Sequence, residues 1–190
     1  MSKHLDSVRD LLRQIVPDPD REGLQETPLR YVKALQEWTE GYHIDPDTLL
    51  KTFEDGGEGY DELVFVGSIP FYSLCEHHMA TFFGVAHVGY IPNKRIVGLS
   101  KIPRVVNAYA KRLSVQERIT TQVANCMMRV LKPKGVAVML QARHMCMESR
   151  GIHATGAVTT TTALRGNLKD PSARAEFYQM VTSAKGVGLA

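Results

Sequence analysis

Two short segments of the sequence contain the residue types that bind transition metals. Cys75 and His78 stand three positions apart, a spacing that lets one turn direct a thiolate and an imidazole at a single ion. Far downstream, His144 and Cys146 are two positions apart on a predicted strand, where alternate side chains share a face. The two segments together predict a metal site whose ligands come from distant parts of the chain.

A plainer interpretation of these residues stays open at this point. An isolated cysteine is usually a small core residue, and a histidine among apolar neighbours is often a hydrogen-bonded core residue. We assign Cys126 to the core, because it lies in a helical apolar stripe with no histidine nearby. The joint occurrence of Cys-x-x-His and His-x-Cys, in a chain with only three cysteines, favours the metal site for Cys75, His78 and Cys146.

Three protein ligands leave one position of a tetrahedral zinc ion open, which is typical of a catalytic rather than a structural site. Zinc lowers the pKa of water at such a position to about 7, so that hydroxide is available at neutral pH. His77 and His144 each lie within two residues of a candidate ligand and are placed to move protons. The residue types therefore predict a zinc-dependent hydrolysis, although iron suits the same ligand types.

A second polar cluster lies at a predicted helix N-terminus. Ser100, Lys101 and Arg104 bring a hydroxyl and two cations to a place where free backbone N–H groups already favour anions. Cations oppose the helix dipole there, which favours a bound anion, with solvated surface charge as the alternative. The chain has no P-loop pattern, so a triphosphate would be held by these side chains and by Arg150.

Glu117 has two competing interpretations. It stands third after Ser114, in the position of a capping-box carboxylate. Its carboxylate is also suited to accept hydrogen bonds from the N–H groups of a purine such as guanine. The two roles compete for the same oxygens.

Apolar periodicity and turn residues divide the chain into helices and strands that position these groups. The predicted elements are, in order, helices at 5–16 and 27–42, strands at 63–69 and 81–90, helices at 101–113 and 115–131, strands at 136–148 and 157–164, and a helix at about 172–183. Strands separated by helices without strict alternation favour an α+β fold with an antiparallel sheet. We predict an N-terminal helical hairpin region at 1–55 and a catalytic domain at 56–190.

The composition is that of a globular protein with a balanced charge. The 190 residues are 44% hydrophobic and 23% charged, with a net charge of +3 that implies neither a nucleic-acid nor a membrane partner. No apolar stretch approaches the ~18 residues of a membrane span, and the first ten residues carry charges where a signal peptide would need an apolar segment. Because sparse cysteines favour a reducing compartment, we predict a cytoplasmic location.

Four motifs, in order and at matching separations, resemble GTP cyclohydrolase I over nearly the whole chain from about Thr27 to Phe177. They occupy residues 73–78, 98–102, 115–118, and 144–146 with 150–152. The resemblance implies a tunnelling fold, in which strands of several subunits join into an oligomeric barrel. It also implies a homodecamer of two stacked pentameric rings, with active sites between subunits.

The resemblance also implies roles for individual residues. By motif match these are Cys75, His78 and Cys146 as zinc ligands, His77 and His144 in proton transfer, Gln116 and Glu117 on guanine, and Ser100, Lys101, Arg104, Arg150 and Arg30 on the triphosphate. Hydroxide would attack carbon eight of guanine in GTP while His144 protonates the neighbouring ring nitrogen, and hydrolysis would release formate. An Amadori rearrangement assisted by Ser100 and ring closure would give 7,8-dihydroneopterin triphosphate, the first step of folate and pterin synthesis.

Three other functions compete with this one. A zinc-dependent nucleobase deaminase needs His-x-Glu and Pro-Cys-x-x-Cys, and neither occurs in the sequence. A relative of the same fold could act on another pterin-related or queuosine-pathway substrate, although the combined motifs favour the cyclohydrolase. A structural zinc protein would need a fourth ligand, for which His77 is the remaining candidate.

Overall fold

The computed structural model describes residues 2–184, and within them the chain forms two compact units divided between Glu40 and Gly41. The boundary between 55 and 56 that the sequence suggested, between a helical hairpin region and a catalytic domain, stays a prediction. None of the helices in residues 2–184 is long and apolar enough to cross a bilayer.

The first unit contains helices α1 (Ser2–Ile15) and α2 (Thr27–Trp38), which contact each other. Pro28 lies in the first turn of α2, where its missing N–H costs nothing. Thr27 is the first helical residue and not the N-cap, a position that Glu26 takes. Helix α2 also ends earlier than the predicted residue 42: Thr39 is the C-cap, and a 3-10 turn at Glu40–His43 follows, in which the Gly41 N–H donates to the Lys111 carbonyl at 3.0 Å.

The second unit contains the remaining elements. These are β1 (Thr52–Phe53), β2 (Val64–Cys75), β3 (Thr81–Ile91), β4 (Ile96–Val97), α3 (Lys101–Ala110), β5 (Leu113–Ser114), α4 (Gln116–Leu131), β6 (Gly135–His144), α5 (Met145–Glu148), β7 (Thr159–Gly166) and α6 (Pro171–Ser183).

Short 3-10 turns occur in both units. They lie at Glu22–Leu24, Glu40–His43, Pro46–Leu49 and Asn167–Lys169.

A five-stranded sheet with the order β5-β2-β3-β6-β7 organises this unit. All neighbouring pairs are antiparallel except β5 with β2, and β1 and β4 form a separate two-stranded ribbon. The register places Phe82 opposite His144 and Leu74 opposite Thr81. The predicted α+β class with an antiparallel sheet is confirmed.

Helices α3 and α4 pack on one face of the sheet and create the main core. The apolar stripes of both helices are buried there, and the fully buried residues include Ile102, Val105, Val106, Ile119, Val123, Cys126 and Met127 against Phe71, Phe82, Ala86, Val88 and Tyr90. Each buried apolar Å² contributes roughly 25 cal/mol, so this face supplies most of the hydrophobic stabilisation. Helix α6 covers part of the opposite face through Phe177.

Two strands differ from their predicted bounds in ways that matter for the site. Strand β2 runs on to Cys75, past an irregularity between Val66 and Ile69, so Cys75 is a strand residue. Strand β6 ends at His144, and the helical turn α5 replaces the predicted continuation to 148. The prediction that His144 and Cys146 share one strand face is therefore wrong.

Close approach of β3 and β6 at Gly84 gives a test of this packing. A Cβ at Gly84 would lie 1.9 Å from the Gln141 carbonyl oxygen, so we expect Gly84→Ala to lower the free energy of unfolding by about 1–3 kcal/mol or more. Gly98→Ala is the matched control, because its Cβ would meet nothing closer than 3.5 Å. Thermal and denaturant unfolding of both variants check this, and equal stabilities would contradict the register that pairs β3 with β6.

Candidate active site

A tight turn after β2 brings the first two metal-ligand candidates together. The Cys75 N–H donates to the Ala80 carbonyl at 2.8 Å, and the Met79 N–H donates to the Cys75 carbonyl at 2.8 Å. Met79 takes a positive φ of 53°, which closes the turn. As a result, His78 Nδ1 lies 3.7 Å from Cys75 Sγ.

The third candidate, Cys146, comes from α5 at the end of β6. Donor atoms of Cys75, His78 and Cys146 all lie within 4.8 Å of one another, and no other group of three or more such residues is found in residues 2–184. Donor atoms about 2.0–2.3 Å from a tetrahedral zinc ion are about 3.5–3.8 Å apart, which the 3.7 Å contact between Cys75 and His78 matches. The two sulfurs and one imidazole nitrogen therefore fit zinc.

The two thiols of this cluster influence each other. Burial, followed by the hydrogen bond with the neighbouring Cys75 thiol, raises the pKa of Cys146. A bound cation reverses this preference, because it needs the thiolate form. Cys126 is different, since it is fully buried in the core, and burial together with its hydrogen bond to Asp47 raises its pKa to about 12. The assignment of Cys126 to the core is confirmed.

A cavity of about 160 Å³ opens beside the cluster. It is lined by Cys75, His77, Phe82, Ser114, Val115, Gln116, Glu117, His144 and Cys146. The structure thus brings two metal-ligand candidates, both proposed proton-transfer histidines and both proposed guanine-binding residues to one place. His77 is on the rim with 65% of its side chain exposed, and it is absent from the three-residue donor cluster.

Gln116 has a role that the sequence motif did not predict. Its side chain is buried, and Nε2 donates to the carbonyls of Leu140 and Thr159 at 3.0 Å and lies 3.1 Å from the Thr161 hydroxyl. Oε1 lies 2.8 Å from His144 Nε2 and accepts from it. Since both N–H groups of the Gln116 amide are used inside the protein, its side chain has no donor left for a base.

His144 is held on two sides. Its ring stacks on Phe82 with centroids 4.6 Å apart and planes 5° from parallel, while its Nε2 faces Gln116. Because two carbonyl oxygens lie beside the Gln116 nitrogen, the amide oxygen faces His144, so His144 Nε2 carries the proton. Burial lowers the pKa of His144, opposed by the nearby carboxylates Glu117 and Glu148.

The capping-box interpretation of Glu117 is wrong. Helix α4 begins at Gln116 with Val115 in the N-cap position and no side-chain cap bond, and Ser114 is a β5 residue whose hydroxyl donates to the Val115 carbonyl. Glu117 is exposed in the first turn of α4, where it lines the cavity. Its carboxylate is therefore placed to meet a ligand.

None of the residues proposed to bind the triphosphate lines this cavity. Ser100 precedes α3 and is exposed with Arg104, while Lys101 is half-buried, and these three do not line the cavity. Arg150 is close to the metal cluster, with one guanidinium nitrogen 3.3 Å from His78 Nε2. Arg30 belongs to the first unit, where it pairs with Glu26.

Three sulfur and nitrogen donors beside a cavity with an exposed carboxylate and two histidines are typical of an enzyme that uses a metal for hydrolysis. The family model for GTP cyclohydrolase I matches residues 5–182, so the chain belongs to the GTP cyclohydrolase I family.

Curated relatives agree with this membership. The chain is 56% identical to a GTP cyclohydrolase 1 of Nitrosospira multiformis over 174 residues, which cover 91% of each chain. It is 53% identical to that of Mycolicibacterium vanbaalenii, over 92% of this chain and 87% of the relative, and 48% identical to that of Porphyromonas gingivalis, over 95% and 92%. Among solved structures, the apo form of archaeosine synthase QueF-Like aligns over 56% of this chain and 95% of its own, with a TM-score of 0.47 and 17% identity.

Metal content tests the donor cluster directly. We expect Cys146→Ala to lose stoichiometric zinc, because only one sulfur and one imidazole remain, whereas Cys126→Ala should retain it. Elemental analysis of both purified variants, with circular dichroism to confirm folding, is the measurement. A folded Cys146→Ala protein with one zinc per chain would overturn the cluster.

Proposed function

We propose that this protein hydrolyses the imidazole ring of the guanine in GTP, releases formate and rearranges the product to 7,8-dihydroneopterin triphosphate. The observation that carries the proposal is the single cavity shared by Cys75, Cys146, His144 and Glu117. Membership of the GTP cyclohydrolase I family supports the same substrate and reaction. The cytoplasmic location predicted from the sequence belongs to this proposal.

Recognition of guanine falls to the start of α4. The exposed carboxylate of Glu117 accepts from the ring and exocyclic N–H groups of the base, a pair of donors that adenine does not present. The neighbouring backbone at Val115 and Gln116 lines the same cavity and offers further polar groups. The Gln116 side chain contributes indirectly, because its amide is occupied by His144 and the sheet.

Cys75, His78 and Cys146 would hold the zinc ion. When bound, zinc supplies Lewis acidity, which lowers the pKa of water to about 7 and makes hydroxide available for attack on carbon eight. His144 takes up and delivers protons at Nδ1, since its Nε2 proton is committed to Gln116. His77, exposed at the rim, exchanges protons between the cavity and solvent.

We also infer that a second copy of the chain completes the site. Strand β7 is one edge of the sheet, and β2 pairs with β5 only at Leu74 and Cys75, so most of its outer edge is unpaired within the described chain. Such edges favour pairing between copies, which supports a tunnelling-fold barrel and the proposed homodecamer. Ser100, Lys101 and Arg104 would then meet the triphosphate from a neighbouring subunit, with Ser100 assisting the Amadori step.

Turnover with and without metal tests the reaction. We expect purified protein incubated with GTP to release formate and to form a product that oxidises to fluorescent neopterin. Both signals should disappear after chelation and return with zinc. A folded, zinc-loaded protein that yields neither signal would contradict the GTP assignment.

Base recognition is tested at Glu117. We expect Glu117→Gln to raise KM for GTP by about tenfold or more, because one hydrogen bond to a charged group is worth about 1.5–3 kcal/mol. Glu62→Gln is the matched control, since Glu62 is exposed and does not line the cavity. Steady-state kinetics of both variants decide, and an unchanged KM in Glu117→Gln would remove Glu117 from the base site.

A further inference from the structure

Arg143 and Glu148, which flank Cys146 in the sequence, form an ion pair. Arg143 Nε donates to Glu148 Oε1 at 2.9 Å, and Arg143 Nη2 donates to Oε2 at 2.6 Å. The Glu148 side chain is 6% exposed and that of Arg143 is 23% exposed. Two parallel hydrogen bonds between ionised groups define both distance and orientation. The two residues flanking the turn therefore have a fixed relation to each other.

The turn between them cannot hold its shape alone. Helix α5 has four residues, and isolated helices of that length are unstable in water. Its backbone is tied at its C-terminal end, where the Ser149 N–H donates to the Met145 carbonyl and the Ala154 N–H to the Met147 carbonyl, both at 3.0 Å. These bonds stabilise the turn itself without fixing it to the sheet.

Arg143 supplies the connection to the sheet. It is a β6 residue opposite Phe83 of β3, and its guanidinium lies 5.9 Å from the centre of that ring. Glu148, at the far end of α5, accepts both hydrogen bonds from that guanidinium. The carboxylate thus links the sheet to the helical turn that carries Cys146.

We propose that the Arg143–Glu148 ion pair is a positioning device for Cys146 and that it sets the affinity of the metal centre. The pair holds α5 in the orientation in which Cys146 Sγ lies within 4.8 Å of the donor atoms of Cys75 and His78. Neither Arg143 nor Glu148 belongs to that donor cluster. The inference rests on the metal centre of the proposed function and not on the identity of the substrate.

Zinc affinity of Glu148→Gln is the first test. The substitution keeps the size of the side chain and removes its charge, so we expect zinc to bind about 10- to 100-fold more weakly, as for loss of other groups that orient ligands. The measurement is competition for zinc with a chromogenic chelator, using the full-length protein. The absorption of the cobalt-substituted variant should also lose intensity from one of its two thiolates.

Asp47→Asn is the matched control. Asp47 forms the same kind of two-point pair with Arg129, including an Arg129 Nε to Asp47 Oδ2 bond of 2.7 Å, and neither residue lines the cavity or contributes to the donor cluster. We expect this variant to lose some thermal stability with unchanged zinc affinity. Equal weakening of zinc binding in Glu148→Gln and Asp47→Asn would overturn the proposal.

A double variant separates positioning from folding. Replacing a buried ion pair by apolar residues often restores stability, so R143M/E148M should melt close to the wild-type temperature. We expect its zinc affinity to stay low, because two flexible methionines do not fix the turn. Recovery of affinity together with stability would show that the pair is merely structural and would overturn the proposal.

The outcomes also distinguish this inference from the proposed function. Unchanged zinc affinity in Glu148→Gln, with normal GTP turnover by the wild type, would overturn the positioning role alone. Weakened affinity in that variant, with no GTP turnover by the zinc-loaded wild type, would support the positioning role and contradict the substrate. A wild-type protein that fails to bind zinc would overturn both.

Discussion

The register between β3 and β6 is the constraint on which the site depends. Because Phe82 lies opposite His144, the end of β6 is held beside the start of β3. The turn before β3 carries His78, and Cys75 is the last residue of β2 before that turn. The turn after β6 carries Cys146. A shift of one residue would reverse every side chain of β6 between the two faces of the sheet and would separate the donor atoms.

Gln116 extends that constraint to the helical layer. A buried amide whose nitrogen and oxygen both have partners is a rigid connection, and this one joins α4 to β6 and β7. The same amide decides which nitrogen of His144 carries a proton. One side chain therefore couples the packing of a helix on a sheet to the protonation pattern of a histidine in the cavity.

The sequence predicted the order of the longer helices and strands, the antiparallel α+β class and the residues of the candidate metal cluster, because periodicity and ligand spacing are local signals. It did not predict where strand β6 ends, since the apolar alternation up to Ala142 gives no sign that a helical turn follows His144 and that Glu148 folds back to pair with Arg143. The capping role considered for Glu117 is wrong for a similar reason. Ser114 pairs with Cys75 of β2 as a strand residue, so it is not the N-cap of α4. The sequence shows which residue types could bind a metal or a base, but it does not show which distant residues contact one another.

Four strands and two helices separate the candidate donors Cys75 and Cys146 along the chain. In an unfolded chain only Cys75 and His78 are close together, and bringing Cys146 to them costs the conformational entropy of closing a long loop. In the folded chain the sheet already holds the ends of this loop together. An ion held by all three residues would therefore bind the folded chain far better than the unfolded one, and its binding energy would add to the stability of the fold.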